Sequence, residues 1–137
     1  MIAQAETLLV CLDFDGTIAE LNPDPYAARA HPKALAAIAT LSTLPRTEVA
    51  ILSGRHLDGL KQVFPLRDPV RLIGSHGAEP GPELTLEQKR VLDDVEKQLQ
   101  ALARAGAYVE VKPYQRVLHV AQVADRVLAQ QLLDAAL

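Results

Sequence analysis

A parallel α/β core followed by a smaller α+β unit is the fold class this sequence predicts. Over residues 1–80, short apolar runs alternate with stretches of helical periodicity, and Gly, Ser or Asp closes each run. Beyond Pro80-Gly81-Pro82 the pattern changes to a long helix, a hairpin and a last helix. Strands alternating with helices form parallel sheets, and a Pro/Gly cluster marks a boundary or hinge. The reading therefore divides the chain into 1–80 and 81–137.

The elements follow in order. Thr7 to Leu12 is an almost continuous apolar run, the pattern of a strand buried on both faces, with Cys11 as a small core residue. A loop rich in Pro and Asp covers Asn22 to His31. Pro32 to Leu44 reads as a helix, with Pro32 in its first turn and Leu35, Ile38 and Leu41 on one face. Thr47 to Leu52 is a second strand, stopped by Ser53-Gly54-Arg55. Leu57, Leu60 and Phe64 fit a short helix that Pro65 stops, and Val70 to Ile73 is a third strand. The long helix covers Leu84 to Arg104, with Leu92, Val95, Leu99 and Leu102 in register and Gly106 after it. Tyr108 to Lys112 and Arg116 to Val120 form a hairpin joined by Pro113-Tyr114-Gln115, and a final helix starts near Asp125.

Composition excludes several functions. The net charge of -3 offers no basic face to nucleic acid or to an anionic membrane, and three Tyr with two Phe make no base-stacking platform. One cysteine permits no internal disulfide, which suits a reducing cytoplasm. The N-terminus lacks a signal-peptide pattern, and no apolar run is long enough to span a bilayer. A single cysteine and scattered histidines give no zinc spacing, and no phosphate loop or dinucleotide fingerprint is present.

The chemistry concentrates at strand ends. Asp13-Phe14-Asp15-Gly16-Thr17 places two carboxylates just past an apolar strand, where open α/β sheets bind ligands. Residues two apart on extended chain point the same way, so both can face one cation or one phosphate. A carboxylate can attack phosphorus, and a second can protonate the leaving oxygen and then activate water. Asp-x-Asp-Gly is also a common turn, but the preceding strand and Thr17 favour a site. Ser53 at the next strand end can donate to a phosphoryl oxygen, the Gly54 turn can add N–H groups, and Arg55 can add a charged contact. Ser53 is equally suited to cap the following helix. Glu110 and Lys112 alternate with Val109 and Val111, which puts the carboxylate and the ammonium on one face.

Asp13-Phe14-Asp15-Gly16-Thr17 resembles the first motif of the haloacid-dehalogenase superfamily of phosphohydrolases, and Ser53 stands where its second motif lies. That resemblance implies a Rossmann-like core with Asp13 as nucleophile and Asp15 as general acid/base. It also implies Mg2+ on the Asp13 carboxylate and the Asp15 backbone carbonyl, with Thr17, Ser53, Gly54 and Arg55 around the phosphate. Gly74-Ser75-His76-Gly77-Ala78-Glu79, then Glu110-x-Lys112 and His119, resemble the trehalose-6-phosphate phosphatases within that superfamily. By that likeness His76, Glu79, Glu110 and Lys112 contact the substrate, a sugar phosphate, and residues 81–137 begin an inserted α+β cap. The family has an aromatic and an arginine after the histidine, where this chain has Val120 and Ala121.

The expected reaction is hydrolysis of trehalose 6-phosphate to trehalose and phosphate. The rivals are another sugar phosphate, such as sucrose phosphate or mannosyl-phosphoglycerate, and a non-catalytic binding module. The superfamily's later lysine and acidic pair follow the cap, and nothing here matches them. Residues 1–137 alone are therefore expected to be a poor or inactive catalyst.

Overall fold

The computed structural model describes residues 5–24 and 26–137; Pro25, in the predicted loop, lies outside the described residues. The chain forms two compact units, residues 1–81 and 82–137.

The first unit holds a three-stranded parallel sheet in the order β1 (Leu8–Asp13), β2 (Thr47–Leu52), β3 (Arg71–Ile73). The register pairs Asp13 with Leu52 and Leu52 with Ile73. All three strands thus end on one line, and the segments that leave them emerge together. Between the strands lie α1 (Pro32–Ser42) and α2 (Leu57–Val63). Each is capped by a histidine: His31 Nδ1 accepts from Lys33 N at 3.2 Å, and His56 Nδ1 accepts from Gly59 N at 3.1 Å. Either cap requires an unprotonated Nδ1.

A strand buried on both faces does not form at β1. Val10 and Leu12 pack against the core, whereas Leu9 is 61% exposed and Cys11 is exposed. The reason is topological. Strands taken in the order 1-2-3 through right-handed crossovers put both connecting helices on the same face. Ile38 of α1 and Leu60 and Val63 of α2 accordingly join one apolar cluster with Val49, Ile51 and Phe14. A continuous apolar run cannot distinguish a strand covered on one face from a strand covered on two.

The second unit contains α3 (Leu86–Leu102), β4 (Tyr108–Lys112), β5 (Gln115–His119) and α4 (Arg126–Asp134). A reciprocal Thr85–Gln88 capping box starts α3 two residues later than predicted, at Leu86. The predicted stripe is only partly buried: Leu99 is covered but Val95 is 37% exposed. The next residue, Glu96, meets the hairpin: its carboxylate accepts from Arg116 Nε at 2.7 Å. The hairpin is tighter than predicted. Lys112 pairs with Gln115, so Pro113-Tyr114 alone makes the turn and β5 starts one residue earlier. After α3, Gly106 adopts φ +98°, and a Cβ there would lie 2.7 Å from the Gln122 carbonyl oxygen. Asp125 caps α4, and Ala107, Val123, Ala129 and Leu132 form the core of this unit.

Candidate active site

Phe14 pins the first motif. Its side chain is fully buried, edge-on to Phe64 at 6.1 Å between centroids. Its carbonyl accepts from Ile18 N and Ala19 N, which curls the chain into a turn. With Phe14 facing inward, the flanking Asp13 and Asp15 stand at the sheet's C-terminal edge. Asp13 is exposed, and its Oδ2 accepts from Thr17 Oγ1 at 3.0 Å.

Asp15 has a firmer partner. Arg55 donates from Nε to one carboxylate oxygen at 2.8 Å and from Nη2 to the other at 2.6 Å. This fork-to-fork pair spans the ends of β1 and β2. The guanidinium is 12% exposed and lies 5.4 Å from the centre of the Phe14 ring. Arg55, predicted as a phosphate contact, is thus first of all the residue that orients Asp15.

Ser53 is buried, and its Oγ accepts from Arg55 N at 3.1 Å. Its own O–H remains a donor. His76 N donates to the Ser53 carbonyl at 3.0 Å, and Ser75 N donates to the Arg55 carbonyl at 2.7 Å. The His76 ring lies against Gly54, where a Cβ would stand 2.6 Å from its Cε1. A side chain at position 54 would have to displace the exposed His76 ring. Glu79 departs from the sequence reading. It is 6% exposed, and its carboxylate accepts from Leu57 N and from Ser75 Oγ, so both oxygens are engaged by the chain itself. A sugar contact needs an accessible oxygen, and at Glu79 both are turned into the chain.

Among the described residues, no three His, Cys, Asp or Glu side chains converge as a metal-binding group. The chain can offer the Asp13 carboxylate and the Asp15 backbone carbonyl. Two hard oxygen donors fit magnesium, which keeps several waters and commonly binds one or two carboxylates plus substrate phosphate.

In the second unit, Tyr108, Glu110, Lys112 and His119 share one face of the hairpin. Glu110 Oε2 lies 2.7 Å from His119 Nε2 and 3.3 Å from Lys112 Nζ. The His119 ring stacks on Tyr108 at 4.7 Å. The Tyr108–His119 stack was missed in the sequence, although the cross-strand register implies it once the two-residue turn is known. Burial pushes the Glu110 carboxyl up, but the His119 hydrogen bond and the Lys112 ammonium outweigh it and leave the group below its ordinary 4.5. The carboxylate's contribution is therefore fully present above pH 4.5 and lost only as pH falls through the lowered value.

The family model described as Trehalose-phosphatase matches residues 11–136. The chain belongs to this family. A bifunctional trehalose-6-phosphate synthase/phosphatase of Thermoproteus tenax is 30% identical over 97% of this chain and 20% of its own length. A trehalose-phosphate phosphatase of Mycolicibacterium paratuberculosis is 36% identical over 86% of this chain and 32% of its own length. The solved C-terminal domain of C. albicans trehalose-6-phosphate phosphatase superposes with a TM-score of 0.74 at 23% identity, covering 98% of this chain and 50% of that one. The chain thus spans a fifth to a third of these curated relatives' length and half of the solved chain. Among the described residues, no helix is long and apolar enough to cross a membrane.

Proposed function

We propose that this chain carries the nucleophile-bearing part of a trehalose-6-phosphate phosphatase of haloacid-dehalogenase type. The observation that carries the reading is the Asp13–Asp15 pair at the end of β1, with Asp15 held by Arg55 beside Ser53, in a chain matched by the Trehalose-phosphatase family over residues 11–136.

In the first step an Asp13 oxygen attacks phosphorus, the phosphorus–sugar oxygen bond breaks, and Asp15 gives its proton to the departing alkoxide. In the second, Asp15 takes a proton from water, the water oxygen attacks phosphorus, and Asp13 is released with phosphate. A protonated carboxyl oxygen no longer accepts an N–H in the same way, so Asp15 must loosen its hold on Arg55 to act as acid. Thr17 orients Asp13. The Ser53 hydroxyl, the N–H groups of the Gly54 turn and the Arg55 charge complement the phosphoryl oxygens. The Asp13 carboxylate and the Asp15 carbonyl would hold Mg2+, whose charge offsets that of the phosphoryl oxygens. His76, Glu110 and Lys112 are the proposed sugar-side contacts. The lone Cys11 thiol, exposed rather than paired, suits a cytoplasmic setting.

The test is phosphate release from trehalose 6-phosphate by the product of the complete reading frame, with Mg2+ and after exhaustive chelation, beside a panel of other sugar phosphates. Turnover that depends on Mg2+ and prefers trehalose 6-phosphate supports the reading; undiminished turnover after chelation overturns the metal assignment.

Glu110→Ala and Lys112→Ala should each lower kcat/KM for trehalose 6-phosphate roughly 10–100-fold, the value of one charge-assisted contact, and leave p-nitrophenyl phosphate hydrolysis within about 3-fold. Because the Glu110 carboxyl lies below 4.5, this selectivity should persist down to that pH and fade below it. Equal losses on both substrates would make the pair structural.

A further inference from the structure

Glu79 has no part in the reaction just described, yet it is a charged side chain buried in the first unit, at 6% exposure. It closes a turn that is itself unusual. Ser75 and His76 adopt φ +48° and +55°, a left-handed conformation that side chains disfavour, and Gly77 follows at +99°. Two such non-glycine residues in succession persist only where the surroundings over-determine them. The surroundings here are the Ser53-Gly54-Arg55 turn. Ser75 N and His76 N donate to the Arg55 and Ser53 carbonyls, and the backbones of Gly74 and Glu79 bond to each other at 2.9 and 3.1 Å. Gly74 is pressed so close that a Cβ would lie 2.7 Å from Leu57 N and 2.9 Å from the Arg55 carbonyl oxygen. The carboxylate of Glu79 completes the clasp. One oxygen accepts from Leu57 N, just past the Ser53 turn, and the other accepts from Ser75 Oγ at 3.0 Å, at the start of the strained turn.

We infer that Glu79 is a positioning residue for the phosphate-binding turn: it ties the left-handed turn 75–77 to residues 53–57 and so fixes where the Ser53 hydroxyl and the turn's N–H groups point. The inference rests on the reading of residues 53–55 as the phosphoryl-binding segment. It separates Glu79 from Glu110, since an effect on the turn is felt by every phosphate ester whatever alcohol it carries. It also predicts that hydrogen bonding, and not charge, is what position 79 supplies. Glutamine can accept from Leu57 N through its carbonyl and donate to Ser75 Oγ through its amide, whereas leucine fills similar space and does neither.

The experiment compares Glu79→Leu, Glu79→Gln and Ser75→Ala. In the product of the complete reading frame, Glu79→Leu should lower kcat/KM for trehalose 6-phosphate and for p-nitrophenyl phosphate by the same factor, on the order of 10²–10³, the effect of misplacing one oxyanion donor. Inhibition by orthovanadate should weaken in parallel. Glu79→Gln should recover to within about 10-fold of the parent, and Ser75→Ala, which removes one arm only, should fall between them. A loss confined to trehalose 6-phosphate would make Glu79 a sugar contact and overturn the inference. So would a lowered melting temperature with unchanged kcat/KM and vanadate inhibition. Amide hydrogen exchange on the 137-residue chain gives a readout that does not need activity. Exchange at Arg55 and Leu57 should accelerate at least about 100-fold in Glu79→Leu and stay near the parent rate in Glu79→Gln. Inactivity of the parent on every ester would defeat the phosphatase reading alone, and unchanged exchange in Glu79→Leu would defeat the clasp.

Discussion

Asparagine in place of Asp13 is expected to abolish phosphate release, by a factor on the order of 10⁴–10⁶, and to leave the fold intact. The size follows from losing the nucleophile itself, whose removal leaves only the rate supplied by binding and orientation. The intact fold follows from position. Asp13 is exposed at the last residue of β1, and its carboxylate accepts from the Thr17 hydroxyl, which an Asn carbonyl can still do. The first unit's core is built without it, from Phe14, Ile38, Ile51 and Leu60. The measurement is turnover of trehalose 6-phosphate by purified Asp13→Asn beside its circular dichroism and melting curve. Residual turnover above a trace, in a sample free of parent enzyme, would remove Asp13 from this role.

The second large effect is expected at Asp15. Asp15→Asn should slow turnover about 10²–10⁴-fold, the usual value of a positioned general acid and base. Unlike Asp13→Asn, it should also cost stability. The Arg55 guanidinium is 12% exposed and bonded through two nitrogens to the Asp15 carboxylate. An asparagine keeps one acceptor and removes the negative charge. Because the carboxylate itself is 32% exposed, the penalty is reduced from the fully buried case to about 1–2 kcal/mol. A denaturation midpoint reads it, and the double variant Asp15→Asn/Arg55→Met should recover part of the loss. Unchanged stability in Asp15→Asn would mean that the pair contributes nothing to holding β1 against β2. Unchanged turnover would mean that another group moves the proton.

What was legible in the sequence was whatever local pattern governs. Strand ends at Leu52 and Ile73, the end of β1 to within one residue (Leu12 against the observed Asp13), and the switch of character at Pro80-Gly81-Pro82, are read from apolar runs and their punctuation. The motif was legible for the same reason, since an apolar strand leading into Asp-x-Asp-Gly-Thr contains its own context. Three features were not legible, each because distant chain decides it. The exposure of Leu9 and Cys11 depends on which face α1 and α2 take, and the composition of β1 does not encode that. The burial of Glu79 depends on an approach to Leu57 across 22 residues. The Tyr108–His119 stack depends on a turn of two residues where Pro113-Tyr114-Gln115 suggested three. At Val95 the helical period holds although the side chain is 37% exposed, and the neighbouring Glu96 meets Arg116.

The most direct test of the account is to locate the phosphoryl group. The product of the complete reading frame, mixed with trehalose 6-phosphate and Mg2+, is quenched in the steady state and reduced with borohydride, which converts an aspartyl-phosphate to homoserine. Peptide mass spectrometry then reads residues 5–24. Homoserine is expected at position 13 and unmodified aspartate at position 15, with no conversion in Asp13→Asn. Homoserine at position 15, or turnover with no conversion anywhere in the chain, would contradict it.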